Sequence, residues 1–355
     1  MKKNLQIVFF LLIALLSGWW IGQETSKPTG TNENNSIFEA RTPYEDIQSK
    51  VINTAKQTIA DVYSVIITKN LRYLVEDPFW VYPPIITEHS TQIWEWSALY
   101  LQDGYFLTNK HVVKDLKADY TLIDSQGNKF KVDWIRFDPI LDLAIVHVQN
   151  IHKKSNINKI IPSTYKIPIW TFVIAIGNAL GEYQNTVTFG IISNKGRALK
   201  QQANDSIYIW LYQTDTAINP GNSWGPLVEV NSGYIIGINT AISNYGQWIG
   251  FAIPINQEMI KTMLKSIEET GEIVHPFLWI SYTSTPKGYE ITSVKPWSIA
   301  QIYGLSTGGI ITHINGQKID PSYPLIYYLY QFLPGQKIIF TISYNNKIQN
   351  IEVKL

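Results

Sequence analysis

The sequence predicts a mostly-β fold, and three observations carry the prediction. Between Ser97 and Ile255, short runs of β-branched and aromatic residues recur at intervals of roughly ten, separated by turn residues, the signature of an all-β barrel or sandwich. Helical spacing of apolar residues shows instead at Tyr44 to Ala60 and at Asn256 to Thr270. With 355 residues and 45% hydrophobic content the chain can bury a large core, and its length suggests two or three domains.

The elements follow in order. Lys2 and Lys3 precede an apolar run from Leu5 to Ile21. At about 17 residues it sits at the short end of what spans a bilayer. With no small-x-small cleavage site behind it, an uncleaved anchor over 1–22 is favoured over a signal peptide. The two lysines put the N-terminus in the cytoplasm and the remainder outside. Residues 23–43, rich in Thr, Asn, Gly, Pro and Ser, read as a flexible linker. Ile47, Val51, Ile52, Ala55 and Ile59 mark a helix, and a strand follows over Asp61 to Thr68. Leu71 to Gln92, holding Pro78, Pro83 and Pro84, reads as a long loop. Strands are expected at Ala98 to Leu107, Phe130 to Ile135, Leu143 to Val148, Phe172 to Ile176, Thr186 to Ile192, Ile207 to Gln213, Leu227 to Val230 and Tyr234 to Thr240. Gly271 ends the second helix and marks a boundary between 44–271 and 272–355. A final hairpin, Lys337 to Tyr344 and Ile348 to Leu355, turns at Asn345-Asn346.

Bulk chemistry removes several function classes. A net charge of +1 gives no basic field for nucleic acid. The absence of cysteine excludes a disulfide framework, a thiolate zinc site and a thiol nucleophile. The six histidines show no metal-ligand spacing, so neither metal nor cofactor is expected.

What remains is a serine on a turn. Ser223 lies in Asn219-Pro220-Gly221-Asn222-Ser223-Trp224-Gly225-Pro226, which runs into the apolar Leu227-Val228. Such turns are common for ordinary reasons, and a serine hydroxyl needs a base, itself held by a carboxylate, before it can attack. His111 in T-N-K-H-V-V and Asp142 in D-L-A-I-V supply both types upstream.

These motifs, with A-I-G-N at 175–178, T-D-T-A-I-N-P-G-N-S at 214–223, G-I-N-T-A-I at 237–242 and G-F-A-I-P at 250–254, resemble the HtrA (DegP/DegS-like) family of serine proteases. The resemblance covers roughly residues 50 to 355. It implies two six-stranded barrels of the trypsin-like fold followed by an α+β PDZ domain. His111, Asp142 and Ser223 would be catalytic, with an oxyanion hole from the backbone N–H groups of Gly221 and Ser223. Ala217, Ile218, Asn239 and Thr240 would line the substrate pocket. Phe277, Leu278, Trp279 and Ile280 would bind peptide C-termini in the PDZ domain, in the manner of strand addition. A homotrimer is implied, as are unfolded or regulatory proteins as substrates. Two readings stay open: an extracytoplasmic endopeptidase, and an inactive relative that only binds peptides.

The tryptophans set the resemblance a problem. Of twelve, seven (Trp94, Trp96, Trp170, Trp224, Trp248, Trp279 and Trp297) fall where the family has glycine. Forcing a bulky residue into a glycine conformation costs about 1–3 kcal/mol each. Five such sites would cost ~5–15 kcal/mol, comparable to the whole stability of a domain. The expectation is that UGA codons, read as glycine in some bacterial lineages, are written here as tryptophan, and that Trp80, Trp134 and Trp210 follow suit. The alternative is a genuine Trp224 in an inactive relative.

Overall fold

A computed structural model of the chain describes residues 43–75, 85–151, 153–177, 186–199, 208–219, 222–242, 249–345 and 347–355. The expected anchor at 1–22 and all of the linker before Pro43 lie outside them. Among the described residues, no helix is long and apolar enough to cross a membrane.

Helix α1 (Pro43–Ile59) sets Val51, Ala55 and Ile59 against the large core, and Thr58, buried, closes the helix onto Thr54. Seven strands follow: β1 (Val62–Val75), β2 (Ile85–Gln102), β3 (Tyr105–Thr108), β4 (Asp119–Ile123), β5 (Lys129–Lys131), β6 (Trp134–Phe137) and β7 (Ala144–His147). They form one sheet in the order β5-β4-β1-β2-β3-β7-β6. This departs from the six-stranded barrel that the resemblance implies. The end strands β5 and β6 are three and four residues long and do not pair with each other.

Two sequence expectations are corrected in this half. The supposed loop from Leu71 to Gln92 is largely a ladder, in which β1 pairs with β2 from Val62↔Leu99 to Val75↔Ile85 with a bulge at Ile67/Thr68. Pro78, Pro83 and Pro84, which suggested the loop, lie outside the described residues. Ala98 to Leu107, expected as one strand, is a hairpin turning at Asp103-Gly104, whose φ values are 45° and 79°. Two positive φ values in succession match the type I′ turn, which Asp-Gly favours. A Cβ on Gly104 would run into the carbonyl oxygen of Val148.

The second half is a closed barrel, as expected. Its strands are β8 (Phe172–Gly177), β9 (Thr186–Leu199), β10 (Tyr208–Thr214), β11 (Pro226–Glu229), β12 (Ile235–Ile242) and β13 (Gly250–Pro254), in the order β10-β13-β12-β11-β8-β9. Helix α2 (Gln257–Thr270) begins where Asn256 caps it, accepting the Met259 N–H at 2.9 Å, and ends at Gly271 with φ 80°. Its buried face, Met259, Ile260, Met263, Leu264 and Ile267, belongs to the core shared with both β units.

Beyond it, β14 (Ile280–Thr285), β15 (Gly288–Val294), β16 (Ile310–Ile314), β18 (Lys337–Tyr344) and β19 (Lys347–Lys354) form a sheet in that order, with β17 (Gln317–Lys318) paired to β16. Two short helices, α3 (Ile299–Ile302) and α4 (Leu325–Leu329), accompany it, and α4 carries no capping signal that the sequence reading found. This sheet has its own apolar core around Tyr289, Ile291, Ile311, Phe340 and Ile342.

A buried carboxylate ties this sheet to the first. Asp138 accepts the N–H groups of Ile140 and Leu141 at 2.8 and 2.7 Å, the Tyr330 hydroxyl at 3.0 Å and His275 Nε2 at 2.7 Å. Asp138 and His275 are both almost wholly removed from water, with 0% and 2% of their side chains exposed. Replacing Asp138 by Ala orphans several buried donors, each costing about 1–3 kcal/mol. Asp138→Ala should therefore lose at least ~3 kcal/mol of stability in urea denaturation, and a loss under ~1 kcal/mol would refute the tie.

Candidate active site

The site forms where the first sheet meets the barrel. Strand β3 ends at Thr108, and the chain turns through a single 3-10 turn, Lys110–Val112, that presents His111. Asp142 sits just before β7, the neighbour of β3, so the ladder between these strands fixes the two side chains side by side. His111 donates its backbone N–H to Asp142 Oδ1 at 3.0 Å, and its Nδ1 lies 2.5 Å from Oδ2. A carboxylate can only accept, so Nδ1 carries the proton and Nε2 is left as the basic nitrogen.

Three further donors converge on Oδ2. Asn109 Nδ2 lies at 3.2 Å, the Tyr208 hydroxyl at 2.9 Å and Thr240 Oγ1 at 3.1 Å. Asn109 also donates to Thr240 Oγ1 at 2.8 Å. Tyr208 and Thr240 belong to barrel strands β10 and β12, so one carboxylate gathers donors from both halves. Asp142 is fully buried, which on its own would raise its pKa; the hydrogen bonds and charge of His111, with that of Tyr208, outweigh this and hold it below the ordinary aspartate value.

Ser223 stands on the turn that leads into β11. Asn219 O accepts both the Ser223 N–H at 3.0 Å and the Ser223 hydroxyl at 2.9 Å. Asn222, buried beside it, reaches Thr188 Oγ1 and Ala217 O with its amide and accepts the Asn219 N–H at 2.8 Å. Trp224 N–H and Asn239 O are 3.1 Å apart, and Asn239 N–H returns to Gly225 O at 3.0 Å, stitching the turn to β12. Gly225 has to be glycine, since a Cβ would meet the Ile176 carbonyl oxygen of β8. In this arrangement the serine faces its own turn rather than the imidazole, and its N–H is already occupied. The other expected oxyanion donor, Gly221, lies outside the described residues.

Two indoles fill the space in front of His111. The Trp224 ring lies 5.6 Å from the imidazole and 3.8 Å from the Trp96 ring, between centroids, and the Trp96 ring lies 6.1 Å from the imidazole. At 3.8 Å, two rings inclined by 68° are closer than the 4.5–7 Å at which aromatic pairs normally settle.

The pocket residues separate. Ala217 lies at the turn, its carbonyl held by Thr188 and Asn222. Ile218, expected to line the pocket, is buried in the barrel's apolar core. Asn239 and Thr240, placed in the pocket by the resemblance, bond the Ser223 turn and the Asp142 carboxylate instead. Side-chain alternation along β12 sends Thr240 toward the first sheet, where Asn109 and Asp142 satisfy its hydroxyl. Asp215 accepts the Ile191 N–H of β9 at 2.7 Å. The sequence reading missed Asn109 and Tyr208: Asn109 stood in a quoted motif without a role, and Tyr208 read only as a strand residue.

This arrangement fits one class, a trypsin-like peptidase fold, with His111 and Asp142 hydrogen-bonded between its β units. The family model for the trypsin-like peptidase domain matches residues 97–238. A probable periplasmic serine endoprotease, DegP-like, of Chlamydia trachomatis is 33% identical over 277 residues, covering 71% of this chain and 52% of that protein. A probable periplasmic serine protease, do/HhoA-like, of Haemophilus influenzae is 35% identical over 269 residues, covering 71% and 55%. The chain spans about half the length of the curated relatives it matches. Among solved structures, the HtrA-type protease AlgW with a tripeptide superposes with a TM-score of 0.57 at 28% identity, over 86% of this chain and 96% of that one. The chain belongs to the HtrA family of serine proteases.

The depressed pKa of Asp142 makes a stability prediction. A carboxylate whose folded pKa lies below its unfolded one stabilises the fold above the unfolded value, about 3.9, and that contribution is lost as pH falls through the folded value. Tyr208→Phe removes one donor to the charged form, worth ~1.5–3 kcal/mol. The loss should be seen in urea titrations at pH 7 and should shrink as pH falls through the folded pKa, below which the carboxyl is neutral in both states.

Proposed function

We propose that the chain is an extracytoplasmic serine endopeptidase that cleaves unfolded or regulatory proteins with Ser223, His111 and Asp142. The observation that carries this reading is the buried Asp142 carboxylate, bound by His111 Nδ1 at 2.5 Å so that Nε2 is free to act as base. Once the serine hydroxyl rotates from Asn219 O to that nitrogen, His111 takes its proton as Oγ attacks the peptide carbonyl. The imidazolium then passes the proton to the leaving amine, while Asp142 stabilises the cation and holds the tautomer. Turning the 221–223 backbone toward the cleft would free the Ser223 N–H and, with that of Gly221, form the oxyanion hole, worth ~3–4 kcal/mol per donor. The periplasmic assignment of the relatives named above supports the location.

The primary pocket offers no free carboxylate, because Ala217 has none and Asp215 is bonded to the Ile191 N–H of β9. Cleavage should therefore follow Val, Ala, Leu or similar residues. Preferred cleavage after Lys or Arg in a peptide library would contradict this.

The C-terminal sheet fits the role of a PDZ domain. Its end strand β14 has one edge unpaired among the described strands, as strand addition by a peptide requires. Phe277 and Trp279 just before it stay about half exposed while Leu278 anchors the segment in the core. A peptide with a free C-terminal carboxylate should bind this edge, and loss of binding on amidation would support it. A homotrimer and a membrane attachment through residues 1–22 complete the proposal.

A binding-only protein is the second reading, favoured by the two indoles against His111 and by Ser223 turned toward Asn219. One experiment tests the catalytic reading. A Trp96→Gly/Trp224→Gly protein should take a fluorophosphonate on Ser223 and cleave unfolded casein, and Asp142→Asn in that background should lower kcat by about 10⁴-fold. Failure to label, in protein shown to be folded, would favour the binding-only reading.

A further inference from the structure

We infer that positions 170, 210, 224, 279 and 297 are glycine in the protein the cell makes, whereas position 134 is a true tryptophan. The backbone itself divides the tryptophans in this way. Among the described residues, nine non-glycine residues have positive φ. Four are Asp103, Asn150, Asn315 and Asn345, the residue types that tolerate the left-handed region. The other five are Trp170, Trp210, Trp224, Trp279 and Trp297, with φ from 51° to 74°. No tyrosine or phenylalanine among the described residues joins them, although together they far outnumber tryptophan. An aromatic preference cannot produce that pattern. A conformation meant for glycine can.

The fold commits the backbone at these places. Trp170 N–H bonds Ile192 O at 2.8 Å, and Trp224 N–H bonds Asn239 O at 3.1 Å, both across the barrel. Trp297 N–H bonds Gln301 Oε1 at 2.6 Å just ahead of the Ser298 cap of α3. Lys295 N–H bonds Trp279 O at 3.0 Å. Trp210 falls where the β10–β9 ladder loses register between Tyr208 and Leu211, and a left-handed glycine is the usual first residue of one kind of bulge.

Trp210 packs near Tyr327 and Tyr330, and Trp279 near Phe277 and Lys295, but Trp170 and Trp297 gain no burial for the strain. Trp297 is 90% exposed and Trp170 72%, so neither indole packs. Trp210 and Trp224 leave buried indole N–H groups with no hydrogen-bond partner, and Trp224 is pressed onto Trp96. Trp134 behaves oppositely. Its backbone is ordinary strand, its ring stacks on His147 at 4.9 Å and 5°, and Arg136 lies over it at 5.0 Å. The expectation that it too is a disguised glycine is thereby corrected. Trp96 has no positive φ and is not assigned by conformation, while Trp80 and Trp248 lie outside the described residues.

A codon read as glycine by the producing cell and as tryptophan by the standard table accounts for the division, and UGA is the candidate codon. The test has a readout independent of proteolysis. The gene should carry UGA at 170, 210, 224, 279 and 297 and UGG at 134, and peptide mass spectrometry of protein isolated from its own cells should find glycine at the five and tryptophan at 134. UGG at the five positions, or tryptophan in the native peptides, would overturn the inference. A stability comparison adds a second arm: the fivefold Trp→Gly protein should unfold at a higher urea concentration than the chain as written, and Trp134→Gly at a lower one. The reverse order would count equally against it.

Discussion

The Asp142 carboxylate is the constraint on which the site depends. A charge in a dry interior is tolerated only when its acceptor positions are filled, and here donors come from the first sheet (His111 and Asn109) and from the barrel (Tyr208 and Thr240). The carboxylate thus fixes the imidazole's tautomer and adds a polar link between two β units that already share an apolar core. Four residues earlier, Asp138 does similar work at the end of the same loop, holding Tyr330 and His275 of the C-terminal part. Two buried acids on one connection make the loop before β7 the joint of the molecule.

Around that joint the Ser223 turn is built to a tight tolerance. Asn222 and Asn239 supply the turn with side-chain and backbone bonds, and Gly225 lets it lie directly on β8. A turn so closely packed has little room for a large neighbour. The indole of Trp224 intrudes there, and the serine hydroxyl facing Asn219 belongs to the same crowded arrangement.

Much of this was legible in the sequence, and what was not has physical reasons. Strands with β-branched runs, the α2 helix with its Asn256 cap and Gly271 stop, and the order of His111, Asp142 and Ser223 are local signals, each readable within a few residues. The Asp103-Gly104 turn is an equally local signal, flanked by the apolar runs Ala98 to Leu101 and Tyr105 to Leu107 that read together as one strand. Asn109 and Tyr208 could not be assigned, because their partner is a carboxylate brought to them only by the pairing of distant strands. Thr240 went to the wrong wall for the same reason: its motif gave its strand but not the face it presents. The tryptophans reverse this relation. Their positions raised a doubt from the sequence, and backbone conformation then separated the five that need glycine from Trp134, which packs as an aromatic should.

The most direct test of the central claim is a titration of the Asp142 carboxyl carbon by ¹³C NMR in the folded protein. The account predicts a midpoint below the ordinary aspartate value of 3.8, moving upward when Tyr208 is replaced by Phe. A midpoint at or above that value would mean that burial outweighs the converging donors, and that the carboxylate does not organise the site as described.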